Sequence, residues 1–205
     1  MKTFNELQEG VYDPNILKAF FLAGGPGSGK TYVVKRTTGG LGMKILNSDD
    51  QFERLLKDAG LDSKMPTEEK QTRDVAIDRA KERTNKRRDN YVDGRLGLII
   101  DGTGKDYDKI AYQARELEGL GYDTHMIFVN TSLDVALQRN KERDRSVPEP
   151  LAVKSWNAVQ RNIGKISNFF KGNFIIIDNN TKDEDMMQQV FKRVRALSNT
   201  KGRHQ

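Results

Sequence analysis

Apolar residues along this chain fall into two rhythms. Short, nearly uninterrupted apolar runs recur at Ala19 to Ala23, Met43 to Asn47, Leu96 to Asp101, Thr124 to Asn130 and Asn173 to Asp178. Runs of that length that are continuous instead of alternating predict strands covered on both faces. Between them, apolar residues recur every three or four positions, the period of a helix packed along one side. This alternation predicts an α/β fold, a buried parallel sheet joined by crossover helices.

The helices are expected at Lys30 to Thr38, at Gln51 to Ala59 with Asp49 or Asp50 as cap, and from Pro66 to about Val92, stopping at Gly94. The Pro66 helix reads as acidic in its first turn and basic in its last, complementing its dipole. Further helices are read at Ile110 to Leu120, after a capping box at Thr131-Ser132-Leu133-Asp134, along the stripe Val153, Trp156, Val159, Ile163, Ile166 and Phe170, and at Thr181 to Ser198. The stripe is read as core, so Trp156 receives no ligand role. Asn199 to Gln205 reads as a frayed basic tail.

Phe20 to Thr31 changes the picture from architecture to chemistry. An apolar strand breaks into Gly24-Gly25-Pro26-Gly27-Ser28-Gly29-Lys30-Thr31, the full G-x-x-x-x-G-K-[ST] pattern, with a helix following. A loop that wraps phosphates must point successive backbone N–H groups inward, at dihedrals that glycine adopts cheaply. Gly25 through Thr31 are therefore the candidate nucleotide-binding residues, with Lys30 on the β- and γ-phosphates and Thr31 on Mg²⁺. The helix N-terminus adds a positive dipole end facing the same anion.

In open parallel sheets ligands bind beyond the carboxyl ends of the strands, which gives weight to polar residues at those ends. The second strand ends Asn47-Ser48-Asp49-Asp50 and the third ends Asp101-Gly102-Thr103-Gly104. Asp101, after three apolar residues, fits a carboxylate that supports Mg²⁺, or else an Asp-Gly turn. Adjacent Asp49 and Asp50 cannot both enter one cleft. Asp49 is the candidate general base, able to accept the proton of an incoming hydroxyl, and its neighbour caps the helix. The competing reading is a pair of turn aspartates.

After the fourth strand, Arg139 and Arg143 stand four apart on one helical face, and Pro148 and Pro150 break the helix behind them. Planar guanidinium groups match phosphate oxygens, so residues 139–150 read as an arginine-rich lid over the transferred phosphate. The alternative is an exposed helix whose charges pair among themselves.

These motifs, in this order and at fitting intervals, resemble the kinase domain of phage-type polynucleotide 5′-hydroxyl kinase, and equally the zeta-toxin family of P-loop kinases. The resemblance runs from about Phe20 to Asn180. It implies a P-loop kinase fold: a five-stranded parallel sheet in the order 2-3-1-4-5, with helices on both faces and an arginine-rich lid. It further implies ATP and Mg²⁺ as cofactors, Asp49 as base, Arg143 as lid arginine assisted by Arg139, and Asp101 near the acceptor or metal. Asn179 and Asn180, after the last strand, become candidate adenine-edge contacts. Two departures stand out. Polynucleotide kinases carry an arginine three residues after the base, where this chain has Phe52, and a fused phosphatase domain is not expected after the fifth strand.

Composition narrows the partners. At 205 residues with 36% hydrophobic and 31% charged content, the chain reads as one soluble domain, its core at about 18–198. No apolar run approaches the ~20 residues that span a bilayer, and Met1 to Glu6 lack the pattern of a signal peptide, which places the protein in the cytoplasm as an expectation. Zero cysteines exclude disulfides and thiolate metal sites, and with only two histidines any metal should be held by oxygen. A net charge of +6 favours polyanionic partners. Lys81 to Asn90 carries five basic against two acidic residues and no aromatic. It is either the solvated face of a long helix or a polynucleotide-backbone contact without a stacking platform.

The reading that follows is an ATP-dependent kinase with a hydroxyl acceptor, a polynucleotide 5′-hydroxyl before a nucleotide sugar. Nucleoside monophosphate kinases are a nearer competitor. An NTP-driven ATPase or switch is the class rival, though Asp101 is followed by Gly102 instead of a second acid, and no Asn-Lys-x-Asp guanine-reading loop is present.

Overall fold

The computed structural model describes residues 15–39, 41–47, 55, 70–142, 147–181 and 183–199. Five strands, β1 (Lys18–Ala23), β2 (Lys44–Leu46), β3 (Leu98–Asp101), β4 (Asp123–Asn130) and β5 (Phe174–Asp178), form one sheet in the order β2-β3-β1-β4-β5, and every pairing is parallel. That is the expected P-loop kinase order. The helices are α1 (Lys30–Thr38), α2 (Lys70–Asp93), α3 (Tyr107–Gly119), α4 (Leu133–Lys141), α5 (Glu149–Phe170) and α6 (Glu184–Ser198), with a 3₁₀ turn at Lys171–Asn173 before β5.

Central β1 is buried throughout, and its side chains alternate between two cores because successive Cβ atoms point to opposite faces. Ala19, Phe21 and Ala23 enter one core with Leu98, Met126, Phe128, and Ala114 and Leu117 of α3, Val159 and Ile166 of α5. Phe20 and Leu22 enter the other with Ile99, Ile127 and Ile177, closed by Val33 and Val34 of α1 and Met187 and Val194 of α6. The continuous apolar runs thus serve a sheet covered on both sides.

Caps move three boundaries from their expected places. α3 starts at Tyr107, not Ile110, because the Asp106 side chain accepts from Lys109 N at 3.0 Å. α6 starts at Glu184, not Thr181, because Asp183 accepts from Met186 N at 2.9 Å. Ser132 caps α4 by accepting from Val135 N at 3.4 Å, so Thr131 does not open the box. α2 ends at Asp93 with no basic residue in its last turn. The basic residues from Arg79 to Arg88 lie mid-helix, where they do not complement the dipole. Apart from Leu55, which is helical, the helix expected at Gln51 to Ala59, the Pro66 start and residues 200–205 of the tail lie outside the described residues.

At the amino-terminal edge of the sheet, away from the glycine-rich loop, Lys18 and His125 are each 1% exposed. Lys18 Nζ and His125 Nε2 both lie 3.1 Å from Asp123 Oδ2, with His125 stacked on Phe20 at 4.8 Å. Burial by itself would raise the Asp123 carboxyl, but the hydrogen bond and charge of His125, then those of Lys18, outweigh it and hold the group at about 2, below its ordinary 3.8. A depressed carboxylate stabilises the fold above its ordinary value, and that stabilisation is lost as pH falls through about 2. The melting temperature should therefore drop between about pH 4 and pH 2, and Asp123→Asn should flatten that limb while lowering stability at neutral pH. Equal slopes for the two proteins in a thermal titration would contradict this account.

Candidate active site

β1 ends at Ala23, and the chain turns at Gly25 to Ser28, closed by Ser28 N donating to Gly25 O at 3.2 Å. α1 then begins, with Gly29 as its cap at φ +83 and no side chain satisfying its first amides. Those N–H groups remain available to an anion. Two glycines are demanded by what surrounds them. At Gly27, φ +77, a Cβ would fall on the Ala136 carbonyl of α4. At Gly29 it would fall on the amide nitrogen of Asn179.

Lys30 is half-buried, its Nζ donating to Gly24 O at 2.7 Å and reaching Gly25 O at 3.5 Å, so its charge lies along the loop that it is expected to serve. Thr31 is exposed in the first turn of α1. Asp101 ends β3 beside Leu22, and Asn47 Nδ2 donates to its Oδ2 at 3.0 Å, which aims the carboxylate at the strand-end edge of the sheet. The Asp101-to-Gly104 turn is tied to β1 on both sides: Gly102 N donates to Leu22 O at 3.2 Å, and Gly24 N to Thr103 O at 3.1 Å.

Asn179 is 2% exposed beneath the loop, with its Nδ2 donating to Ser28 O at 2.7 Å and its N–H to Asn130 O at 2.9 Å. Its amide thus grips the loop backbone. Asn180 accepts from Ser132 N at 2.7 Å and donates to Asp178, which ties the β5 end to the start of α4. Arg139 bridges α4 to the same loop, Nη1 to Asn179 O at 2.7 Å and Nη2 to Asn180 O at 3.2 Å, and approaches Gly29. Asp49, Asp50 and Arg143 lie outside the described residues.

Trp156, read from its spacing as core, is half-buried against Gly25, and its Nε1 donates to Thr131 O at 3.0 Å. Six residues on, Asn162 Nδ2 donates to Gly104 O at 3.1 Å and Lys105 O at 2.7 Å. One helix, α5, therefore holds the turn after β3, the end of β4 and the glycine-rich loop. Neither role has a local sequence signature; only the strand order brings these partners together.

The loop fits a polyphosphate. It presents unsatisfied helix amides and one lysine, and the buried Ser28 Oγ has no hydrogen-bond partner among the described residues. The oxygen donors Thr31 and Asp101 also fit Mg²⁺. No group of three or more His, Asp or Glu side chains gathers among the described residues, and Mg²⁺ characteristically takes one or two protein oxygens plus phosphates and water.

Fold and loop together define a P-loop nucleotide-binding protein of the kinase-like type. Residues 20–166 match the AAA domain model, and the chain belongs to that family. No curated protein sequence matches it. Among solved structures, it is similar to a candidate kinase from Chloroflexus aurantiacus, with a TM-score of 0.60 and 15% identity over 88% of this chain and 98% of that one. It is also similar to the PezAT toxin–antitoxin structure of Streptococcus pneumoniae, at 0.56 and 17% over 88% and 84%, and to shikimate kinase from Bacteroides thetaiotaomicron, at 0.53 and 16% over 88% and 97%. At such identities the likeness is one of fold. No described helix is long and apolar enough to cross a membrane.

Proposed function

We propose that this protein is a kinase that transfers the γ-phosphoryl group of Mg·ATP to a hydroxyl acceptor, a polynucleotide 5′-hydroxyl in the first instance. The observation that carries this reading is the convergence on the glycine-rich loop of the Asp101 strand end and the arginine-bearing helix α4, with Gly102 standing where a motor ATPase would carry a second acid. The loop from Gly25 to Gly29 seats the phosphates on its backbone N–H groups, with Pro26, which has none, fixing the turn, and Lys30 balances charge on the β- and γ-groups. Thr31 and Asp101 hold Mg²⁺, which when bound neutralises charge on the phosphate oxygens. Asp49 takes the acceptor proton as the acceptor oxygen bonds to the γ-phosphorus and the bridging bond to ADP breaks. Arg143, assisted by Arg139, stabilises charge on the group in flight. Asn179 braces the loop from beneath through Ser28 O, in place of the adenine-edge role that the resemblance implies. A second reading, a zeta-like kinase of nucleotide sugars, is favoured by Phe52 at a position where polynucleotide kinases carry an arginine.

The test is transfer of labelled γ-phosphate to 5′-hydroxyl DNA and RNA oligomers, nucleotide sugars and nucleoside monophosphates. Label on an oligomer is the expected result. Label confined to a nucleotide sugar moves the assignment to the second reading. ATP hydrolysis without any labelled acceptor, at a rate indifferent to Asp49→Asn, overturns the kinase assignment in favour of an ATPase or switch.

A further inference from the structure

Most side chains of α2 have no part in either large core. At its lower end Tyr91 and Val92 pack on the sheet, and higher up, among the described residues, Ala80 is buried with Ala76 and Ile77 beside Leu55. Its charges between Asp78 and Asp89 are sorted. Lys81 pairs with Asp78 and Lys86 with Glu82, while Arg88 crosses to Glu116 of α3. Arg79, Arg83 and Arg87 are all exposed and make no close ion pair or hydrogen bond among the described residues, Arg79 and Arg83 acting on Glu82 only at longer range.

These three stand at i, i+4 and i+8. At 3.6 residues per turn they drift about 40° per step, staying within an arc of about 80° and spanning about 12 Å of helix. Like charges at this spacing destabilise a helix. Compensation is slight: they complement no dipole, since the last turn holds no basic residue, and Glu82, on which Arg79 and Arg83 act at a distance, already pairs closely with Lys86. Such a stripe is stabilised by a polyanion. Steps of about 6 Å are comparable with the separation of successive phosphates along one strand of nucleic acid, and each guanidinium fork suits a phosphate. With no aromatic between Lys81 and Asn90, the contact is to backbone and not to bases.

The stripe also reaches the right height. α2 descends into the turn before β3, so Arg79 stands about 21 Å up the helix from Asp93, whereas Asp101 lies about 10 Å up β3 from Leu98. Ala76, Ile77 and Ala80 pack on Leu55, which follows the carboxyl end of β2, and this brings the upper end of the stripe toward the strand-end edge that carries the phosphate site.

We propose that Arg79, Arg83 and Arg87 form a docking track for the phosphodiester backbone of a single-stranded polynucleotide acceptor, beyond its reacting 5′ end. This rests on the polynucleotide reading of the site. The track binds without regard to sequence, and it contributes to long acceptors only.

The test compares the wild-type protein with Arg79→Gln/Arg83→Gln/Arg87→Gln, using a fluorescent 5′-hydroxyl DNA 15-mer followed by anisotropy across a salt series. The expected result is at least about a tenfold loss of affinity at low salt. The slope of log K against log salt should shrink by about 2, three contacts at roughly 0.7 each. Phosphorylation of a 5′-hydroxyl dinucleotide should be unchanged. A control removes the same charge from the opposite face of the sheet, Lys192→Gln/Arg193→Gln/Arg195→Gln on α6, and should keep most of the slope. Unchanged binding by the stripe variant, or equal losses in both variants, overturns the track. If the wild type labels oligomers while the stripe variant binds normally, the track fails and the acceptor reading stands. If no oligomer is labelled but binding still falls with the stripe, the acceptor reading fails and the track stands as a nucleic-acid contact.

Discussion

Lys30→Ala is expected to lower phosphoryl transfer by at least about 10²–10³-fold, the usual cost of deleting one preorganised group that meets developing charge, while the protein stays folded. Lys30 is half-buried, and its hydrogen bonds to the carbonyls of Gly24 and Gly25 lie within its own loop. Losing such bonds costs about 1 kcal/mol each, well within the reserve of a domain this size. Lys30→Arg should fare little better, since a broad planar fork does not replace a compact ammonium inside a tight loop. Asp49→Asn should remove a general base, worth about 10²–10⁴-fold, and leave ATP affinity nearly unchanged. The measurement is label transfer to the acceptor identified by the panel, with ATP binding measured separately. A Lys30→Ala protein within threefold of wild type would remove the loop from the chemistry.

Gly27→Ala should be the most disruptive small substitution in the site. The methyl group would fall on the Ala136 carbonyl oxygen and within 2.8 Å of its carbon, both backbone atoms of α4, and φ +77 is unfavourable for any L side chain. Backbone cannot swing aside as a long side chain would, so the loop and α4 must part. Strain and overpacking together should cost roughly 2–4 kcal/mol, a fall in melting temperature of roughly 10 °C, with ATP affinity reduced at least tenfold. Gly164→Ala supplies the contrast. That glycine lies inside α5 with nothing within 4 Å of its missing Cβ, so alanine there should be neutral or stabilise by up to about 1 kcal/mol. Differential calorimetry on the two variants separates a packed glycine from a merely tolerated one. Equal melting temperatures would refute the contact between α4 and the loop.

Where sequence and structure agree, the signal was local. The glycine-rich loop could be read because glycine at Gly27 and Gly29 is required by dihedrals and close approach, and the residue type itself records that demand. The strands could be read because a doubly covered sheet needs uninterrupted apolar runs. Helix starts were misread by a turn at α3 and α6 because a single aspartate, Asp106 or Asp183, decides where the first free amide is satisfied, and nearby polar residues offered equally good starts. Trp156 was misread for a different reason. Its position in an apolar stripe is right, yet the stripe does not say that one turn of it meets Gly25 instead of the core.

The sequence by itself determined the alternating architecture and the glycine-rich loop, because hydrophobic period and backbone demand are written over a few adjacent residues, and its carboxylates and arginines carry the proposal of phosphoryl transfer. Only the tertiary structure decided what braces that loop: Asn179 under Ser28, Arg139 across Asn179 and Asn180, Ala136 against Gly27, and Trp156 and Asn162 on α5. Those partners lie from about forty to more than a hundred and fifty residues apart in several cases. They meet because β4 stands beside β1 and β5 beside β4 in the sheet, and no local pattern encodes which neighbour a buried polar side chain will find.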